Sequence, residues 1–373
     1  MTNMSTAIRA FVDDDVRPYL ATGPSAEETF PRVLIDKMAQ MGLFGLNVPS
    51  QYGGLGLDQH AVLSANRELS AGWQSLSALL GTHFRVCLYL NQCGTQEQRR
   101  ALLPQLASGE TLVSHAYHEK SIRDHTRFNT TVTADGGGRL SLSGVKHWVT
   151  NALDADLIVV IARCTGSVEE HGSVAALVRP DQSGVRISGD LTRPGVKGVS
   201  LSSVEFDECE LDPDESLIGG FEAAIDEFID RFESGSSLGF CARAVGAAEA
   251  AVRDLAESLV DCADRGGPVG DVSAYKYGQI QTALYSMQAT FAHTAAALGA
   301  GDAPPVAAHM AKVYCADALQ TVVRDCIMLK GGAGYAGSEN DLNRIYRDAI
   351  SLMLIDTPND VLLSRIGRTC ESN

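Results

Sequence analysis

The sequence contains no C-x-x-C pair, although it carries nine cysteines: Cys87, Cys93, Cys164, Cys209, Cys241, Cys262, Cys315, Cys326 and Cys370. Thiols scattered in this way argue against a disulfide framework or a zinc site and suit a reducing compartment. There is no run of about 18 apolar residues, so no membrane-spanning helix is expected. The N-terminus has neither a basic segment nor an apolar run, so no secretion signal is read and a cytoplasmic location is the expectation. Positive charge is scarce: 30 Lys and Arg face 46 Asp and Glu, a net charge of −16. Such a chain lacks the basic footprint of a nucleic-acid binder. Its field also repels anionic substrates, so any anion site needs a local Arg or Lys.

What is present is a 373-residue chain, 45% hydrophobic, large enough for two or three subdomains. Residues 1–112 read as helical. Ser25 before Glu27-Glu28 suggests a helix start, with Val33, Leu34, Ile35, Met38 and Met41 as its apolar face. Pro49, Gly53, Gly54 and Gly56 punctuate a structured loop, and Thr95-Gln-Glu-Gln98 is a capping box. Residues 113–216 change character. Alternating or apolar segments at 130–134, 140–145, 157–162, 174–178, 185–187 and 201–206, with a turn at Gly136-Gly-Gly138, predict a small antiparallel β domain. Residues 217–373 return to helix, with long runs at 221–232, 236–262, 275–298 and 306–329. Breaks at 266–270 and 302–305 separate the later ones, which argues for a four-helix bundle.

Several motifs resemble those of the acyl-CoA dehydrogenase family of flavoproteins, and the resemblance covers nearly the whole chain. Leu43-Phe-Gly-Leu-Asn-Val-Pro-Ser-Gln-Tyr-Gly-Gly-Leu-Gly-Leu-Asp58 is similar to the family's G-L-x-G-L-x-x-P-x-x-Y-G-G-x-G-x-D. Lys146-His-Trp-Val-Thr-Asn151 resembles K-x-W-I-T-N, and Arg344-Ile-Tyr-Arg-Asp348 resembles R-x-Y-R-D. The order of helical domain, β domain and bundle is also that of the family. The resemblance implies a homo-oligomer, dimer or tetramer, that binds FAD and desaturates an acyl thioester at its α,β bond. In that reaction a carboxylate takes the α-proton while the flavin takes the β-hydride.

Carried over residue by residue, the resemblance makes Asp356 the candidate base, where the family has a glutamate. Asp is shorter by one methylene, and reach matters, since a misplacement of about 1 Å can cost roughly a hundredfold. A turn or helix-cap aspartate is the bland alternative. Some members carry the base on a bundle helix. The aligned position here is Ser236, beside Ser237, and Glu233 one turn earlier is a second candidate base. Trp148, Val149 and Thr150 are implied flavin contacts; an ordinary strand tryptophan in the β core is the alternative. His118 and Glu119 open a stretch, ending at Asp124-His125, that replaces the family's T-E-P-x-x-G-S-D loop around flavin and pantetheine. Of that loop Glu119 survives, and the small residues are gone. Asp124 is taken as a substrate contact, with Ser236 and Ser237. His115, His118 and His125 raise a metal site, but 115 and 118 fall on opposite faces of a strand, which argues against it. Arg265 is the nearest match to a phosphate-binding Arg; a solvated surface Arg is as good a reading. Gly331, Gly332 and Gly334, with Gly337 after them, match a glycine-rich cofactor loop, although Met328 replaces its Gln. Thr357 is a further cofactor contact, and Pro358 stiffens its loop.

Three functional readings follow from these departures. The first is a dehydrogenase acting on an unusual acyl thioester of CoA or acyl carrier protein in secondary metabolism, with an unassigned electron acceptor. The second is a flavin oxygenase or oxidase on the same fold. The third is a catalytically degenerate subunit of a hetero-oligomer.

Overall fold

The computed structural model describes residues 2–23, 26–135, 138–264, 270–336 and 341–368. The N-terminal third is helical: α1 (Thr2–Phe11), α2 (Arg17–Leu20), α3 (Arg32–Gln40), α4 (Gln59–Gly72), α5 (Gln74–Cys93) and α6 (Gln96–Ser108). Leu34, Ile35 and Met38 of α3 are buried as their spacing predicts, but Val33 is exposed. The helix starts only after Pro31, later than the Ser25–Glu28 signal implied. Residues Ala26–Glu28 form a 3-10 turn, and Ser25 lies outside the described residues. The capping box of α6 is present: Gln98 N donates to Thr95 Oγ1 (3.2 Å) and Thr95 N donates to Gln98 Oε1 (3.0 Å). In the loop before α4, a Cβ on Gly54 would sit 2.1 Å from the Val48 carbonyl, so only glycine lets the chain fold back there.

The middle region holds β1 (Val113–Ala116), β2 (Thr131–Ala134), β3 (Leu140–Thr150), β4 (Leu157–Gly166), β5 (Ser173–Val178), β6 (Val185–Ile187) and β7 (Leu201–Leu211). The sheet runs β1-β4-β2-β3-β7-β6, with β5 also on β4. It is mixed, which corrects the purely antiparallel expectation. β1 and β2 both pair in parallel with β4, in registers Val113↔Leu157 and Thr131↔Arg163. Periodicity reports which face a strand buries but not the direction of its neighbour. Gly136 and Gly137, at the expected turn, lie outside the described residues.

The C-terminal region is helical again: α7 (Ile225–Asp264), α8 (Asp271–Ala300), α9 (Val306–Lys330), α10 (Gly332–Tyr335), α11 (Asp341–Leu354) and α12 (Asn359–Arg368). The two helices expected at 221–232 and 236–262 are one helix of 40 residues, so the fourth long partner of the bundle is α11. Gly235 is accommodated inside α7; its cost of about 1 kcal/mol is small against the packing of the rest. α7 crosses α4 closely. A Cβ on Gly246 would fall 2.0 Å from the Arg67 carbonyl oxygen. One continuous core of α4, α7, α8, α9 and α11 residues, from Leu63 to Leu352, lies behind that crossing.

Candidate active site

Asp356 sits on the turn between α11 and α12 in the left-handed region, at φ 65, which costs a residue with a Cβ roughly 1 kcal/mol, less for aspartate than for most, and which its surroundings constrain. The constraint is visible. Lys312 on α9 is buried, and its ammonium donates to the carbonyls of Ile355 (3.0 Å) and Thr357, on either side of Asp356. The turn aims the carboxylate at α5 and α7. Oδ1 accepts from Arg85 Nη2 (3.1 Å) and Oδ2 accepts from Ser236 Oγ (3.0 Å). Arg85 Nη2 also donates to Ser236 Oγ over 2.7 Å, which closes a three-residue ring of hydrogen bonds. Burial alone would raise the carboxyl's pKa. Arg85, then His118 and Lys312, with the Ser236 hydroxyl, overcome it and hold Asp356 at about 2. Asp356 is therefore ionised but a weak base while Arg85 holds it.

Ring systems line the surroundings. Tyr89 of α5 lies 4.3 Å from Phe228 and 5.4 Å from His115, and Tyr117 lies 5.1 Å from His118. The Arg85 guanidinium stands 5.1 Å from the centroid of Phe232. Burial lowers the pKa of both His115 and His118, which favours the neutral imidazole, although Asp356 works against it at both. His118 follows β1 rather than extending it, so the opposite-faces argument does not apply to it. Beside Ser236, buried Ser237 shares a hydrogen bond of 2.9 Å with His309 Nδ1.

The structure thus brings Asp356, Ser236 and His118 together. Arg85 was missed. Its signal was available: it is the single Asp, Glu, Lys or Arg in the twenty residues of α5. The side chain of Glu233, the second candidate base, and the whole of Arg265 lie outside the described residues, as does Gly337.

Other sequence candidates have structural employment. Glu119 is buried, and its carboxylate accepts from Asn129 N (3.0 Å), Thr130 N (2.9 Å) and Lys146 Nζ (3.2 Å). Lys146 has no exposed side chain, stands 3.5 Å over the Phe128 ring, and is brought by burial down to about 7. The pair ties the loop after β1 to β3. Asp124 is exposed and caps the 3-10 turn His125–Arg127, accepting from Thr126 N (3.1 Å) and Thr126 Oγ1 (2.6 Å). Gly334 is needed for packing, since a Cβ would meet the Ile327 carbonyl at 2.6 Å. Gly331 ends α9 at φ 66, and neither it nor Gly332 has any atom near a would-be Cβ. The Arg344–Asp348 motif works as a clasp. Asp348 accepts from Val196 N (2.5 Å), and Arg347 donates to the Pro194 carbonyl (3.0 Å) and to Glu27 (2.7 Å).

At the end of β3, Trp148 takes φ 56 and is 48% exposed, so it is not a core tryptophan. Val149 is turned into the core of the sheet, while Thr150 is half-buried. Asn151 is fully buried, yet neither atom of its amide has a protein partner. An exposed indole beside an unsatisfied buried amide is the arrangement that a planar, polar-edged ligand would complete. The residues at this edge fit an isoalloxazine.

Three models of one family match in order: "Acyl-CoA dehydrogenase, N-terminal domain" over 2–110, "middle domain" over 119–209 and "C-terminal domain" over 234–370. The chain belongs to the acyl-CoA dehydrogenase family. Its departures are therefore departures within that family of flavoprotein oxidoreductases. An acyl-CoA dehydrogenase of Bacillus subtilis is 27% identical over 97% of this chain and 96% of its own. The acyl-CoA dehydrogenase of Bacillus anthracis complexed with FAD superposes with a TM-score of 0.85 at 21% identity, over 99% of this chain and 68% of that one. The prolyl acyl carrier protein oxidase AnaB superposes at 0.82 and 22% identity, over 99% of this chain and 98% of that one. The acyl-CoA dehydrogenase fold, read from the order of helical and β segments, is the fold observed. Among the described residues, no helix is long and apolar enough to cross a membrane.

Proposed function

We propose that the chain is an FAD-dependent acyl-thioester dehydrogenase in which Asp356 removes the α-proton of the substrate. The observation that carries this reading is Asp356 itself. Its carboxylate is largely enclosed and ionised, its turn is held by Lys312 in the left-handed region, and it faces α5 and α7. A left-handed turn pinned from both sides fixes the direction of the carboxylate between them. Ser236 and Ser237 supply hydroxyls beside it for the thioester, and Glu233, one helical turn earlier, is the alternative base. Trp148, Thr150, the backbone at Val149, Gly331, Gly332 and Thr357 would hold the flavin, with Arg265 at its phosphates. The chemistry that bound FAD supplies is acceptance of the β-hydride.

The thioester carrier is CoA or an acyl carrier protein. The carrier-protein reading, and with it a role in secondary metabolism, is supported by the AnaB likeness and by the loss of small residues at 118–125. A homo-oligomer is the proposed assembly. A second reading, an oxidase or oxygenase, draws on the Arg85–Asp356 ion pair, because a carboxylate held at about 2 is a weak base.

Anaerobic titration of the yellow protein with an acyl thioester tests both. Bleaching of the flavin in the wild type, slowed at least about a hundredfold in Asp356→Asn with thioester binding retained, supports the dehydrogenase. No bleaching, with reduced flavin reacting rapidly with oxygen, supports the second reading. Bleaching at an unchanged rate in Asp356→Asn removes Asp356 as the base.

A further inference from the structure

Residues 119–128 form a loop anchored at every third position. Glu119, His125 and Phe128 are buried, and Ile122 packs against the core that holds Tyr89 and Phe228. Glu119 is tied to Lys146, His125 Nε2 lies 3.1 Å from Asp226 Oδ1 on α7, and the Phe128 carbonyl accepts from Arg163 Nε of β4 over 3.1 Å. Between these anchors Lys120, Arg123 and Arg127 are exposed. Among the described residues, none of the three side chains makes a hydrogen bond or stands within ion-pair distance of a carboxylate. By contrast, Arg32 pairs with Asp36, Arg139 with Asp135, Arg186 with Glu205 and Asp207, and Arg324 with Asp325.

Like charges placed this close repel, and a loop held from beneath cannot move to relieve them. On a chain of net charge −16, an acidic partner is repelled by most of the surface and attracted here. Asp124 is the one exposed carboxylate of the loop, and it is engaged by Thr126. Asp226 and Glu169, beyond His125, bound the patch on that side. The patch lies at the mouth of the site. Arg123 and Asp356 both act on His118, where the loop begins, and Lys120 acts on His147, next to Trp148. Arg127 acts on Asp124 instead. The three cations thus have three different neighbours and are spread along the loop. A phosphate of a small ligand is held by donors that converge in a concavity. Exposed cations in a row fit carboxylates spread over the face of a protein.

We propose that Lys120, Arg123 and Arg127 form the docking surface for the protein that delivers the acyl thioester, a carrier protein with acidic side chains around its pantetheine arm. The inference rests on the dehydrogenase reading above and selects the carrier protein over CoA. Docking on this loop brings the arm in beside His118, on the way to Asp356. Contacts between exposed charges act chiefly on the rate of encounter and are screened by salt.

The test presents one acyl group on three donors to the flavin-loaded protein: butyryl-pantetheine, butyryl-CoA and a butyryl-loaded acidic acyl carrier protein of the type II fatty-acid system. Anaerobic flavin bleaching gives a second-order rate for each. At an ionic strength of about 0.01 M the carrier protein is expected to react at least about tenfold faster than butyryl-pantetheine, and most of that advantage should vanish at about 0.15 M. Lys120→Gln, Arg123→Gln and Arg127→Gln combined should slow the carrier protein at least about tenfold and leave butyryl-pantetheine within about threefold. Arg123→Lys with Arg127→Lys keeps the charges and should keep the carrier-protein rate within about threefold, which separates charge from loop shape. An unchanged carrier-protein rate in the triple variant overturns the inference. So does a wild type that bleaches with butyryl-pantetheine and gains nothing from the carrier protein. An equal loss with butyryl-CoA assigns the cations to a phosphate and overturns it too. All three outcomes leave the dehydrogenase reading standing. Bleaching by none of the donors overturns that reading and the inference with it.

Discussion

Arg85 Nη2 lies 3.1 Å from Asp356 Oδ1, and the two residues are 271 positions apart in sequence. Both side chains are largely enclosed, at 17% and 13% exposure, so the pair joins α5 to the turn after α11 with little solvent screening. This contact holds Asp356 ionised and ties the first helical region to the last.

The pair has a pH signature. The Asp356 carboxyl is held at about 2 in the folded chain, against about 3.9 in an unfolded one. A depressed carboxyl contributes stability that is complete above its unfolded pKa and lost as pH falls through its folded pKa. The contribution is on the order of 2 kcal/mol. Denaturation midpoints of wild type and Asp356→Asn should therefore converge between about pH 4 and pH 2. Parallel curves down to pH 2 would show that the pair does not set the acid stability.

Glu119 and Lys146 form a buried pair whose removal by halves leaves an unpaired group. Glu119→Gln is expected to lose roughly 3 kcal/mol or more. Lys146→Met in the same chain should recover much of that loss, because the double variant leaves no buried charge. Urea unfolding of the two single variants and the double variant at pH 7 supplies the cycle.

Trp148 and Val149 are neighbours with opposite duties. Trp148→Ala should change the stability of the flavin-free protein by no more than about 0.5 kcal/mol, since the ring is exposed. The same variant should weaken FAD binding several-fold to about tenfold, read by fluorescence titration. Val149→Ala should do the reverse, with a loss of about 1 kcal/mol or more in stability and little change in flavin affinity.

Gly246→Ala places a Cβ where the Arg67 carbonyl oxygen already is, 2.0 Å away. Backbone blocks backbone here, so neither can give by a rotamer change. A loss of about 2 kcal/mol or more is expected, with a lower melting temperature in calorimetry. Alanine at Gly239, on the same helix, has open space and should be tolerated or slightly stabilising.

The legible parts of this chain were those with local causes. The capping box at Thr95 and the strands at 157 and 185 follow from residues within a few positions of each other. What escaped depended on distant partners. The runs at 221–232 and 236–262 read as two helices, but packing against α4 and α9 keeps them one. β2 pairs antiparallel with β3 as the local pattern suggests, but β1, which that pattern did not mark as a strand, and β2 both also lie parallel to β4. At the site, Asp356 was found because a motif surrounds it, whereas Arg85 belongs to no motif. Its importance appears only when α5 is set against the turn after α11. Glu119 was assigned to the cofactor by position, and its neighbours Asn129, Thr130 and Lys146 instead give it a bracing role.

The parallel partnership of β1 with β4 also dictates an order of assembly. Val113–Ala116 has no partner strand until Leu157–Val160 has been made, and β4 in turn receives β5 only with Ser173–Val178. At a synthesis rate of roughly 5–20 residues per second, the first strand waits several seconds as an open edge on the ribosome. The open stretch is four residues long, too short a template for another chain to extend efficiently. The brevity of β1 thus protects the nascent chain during the interval that its own topology imposes.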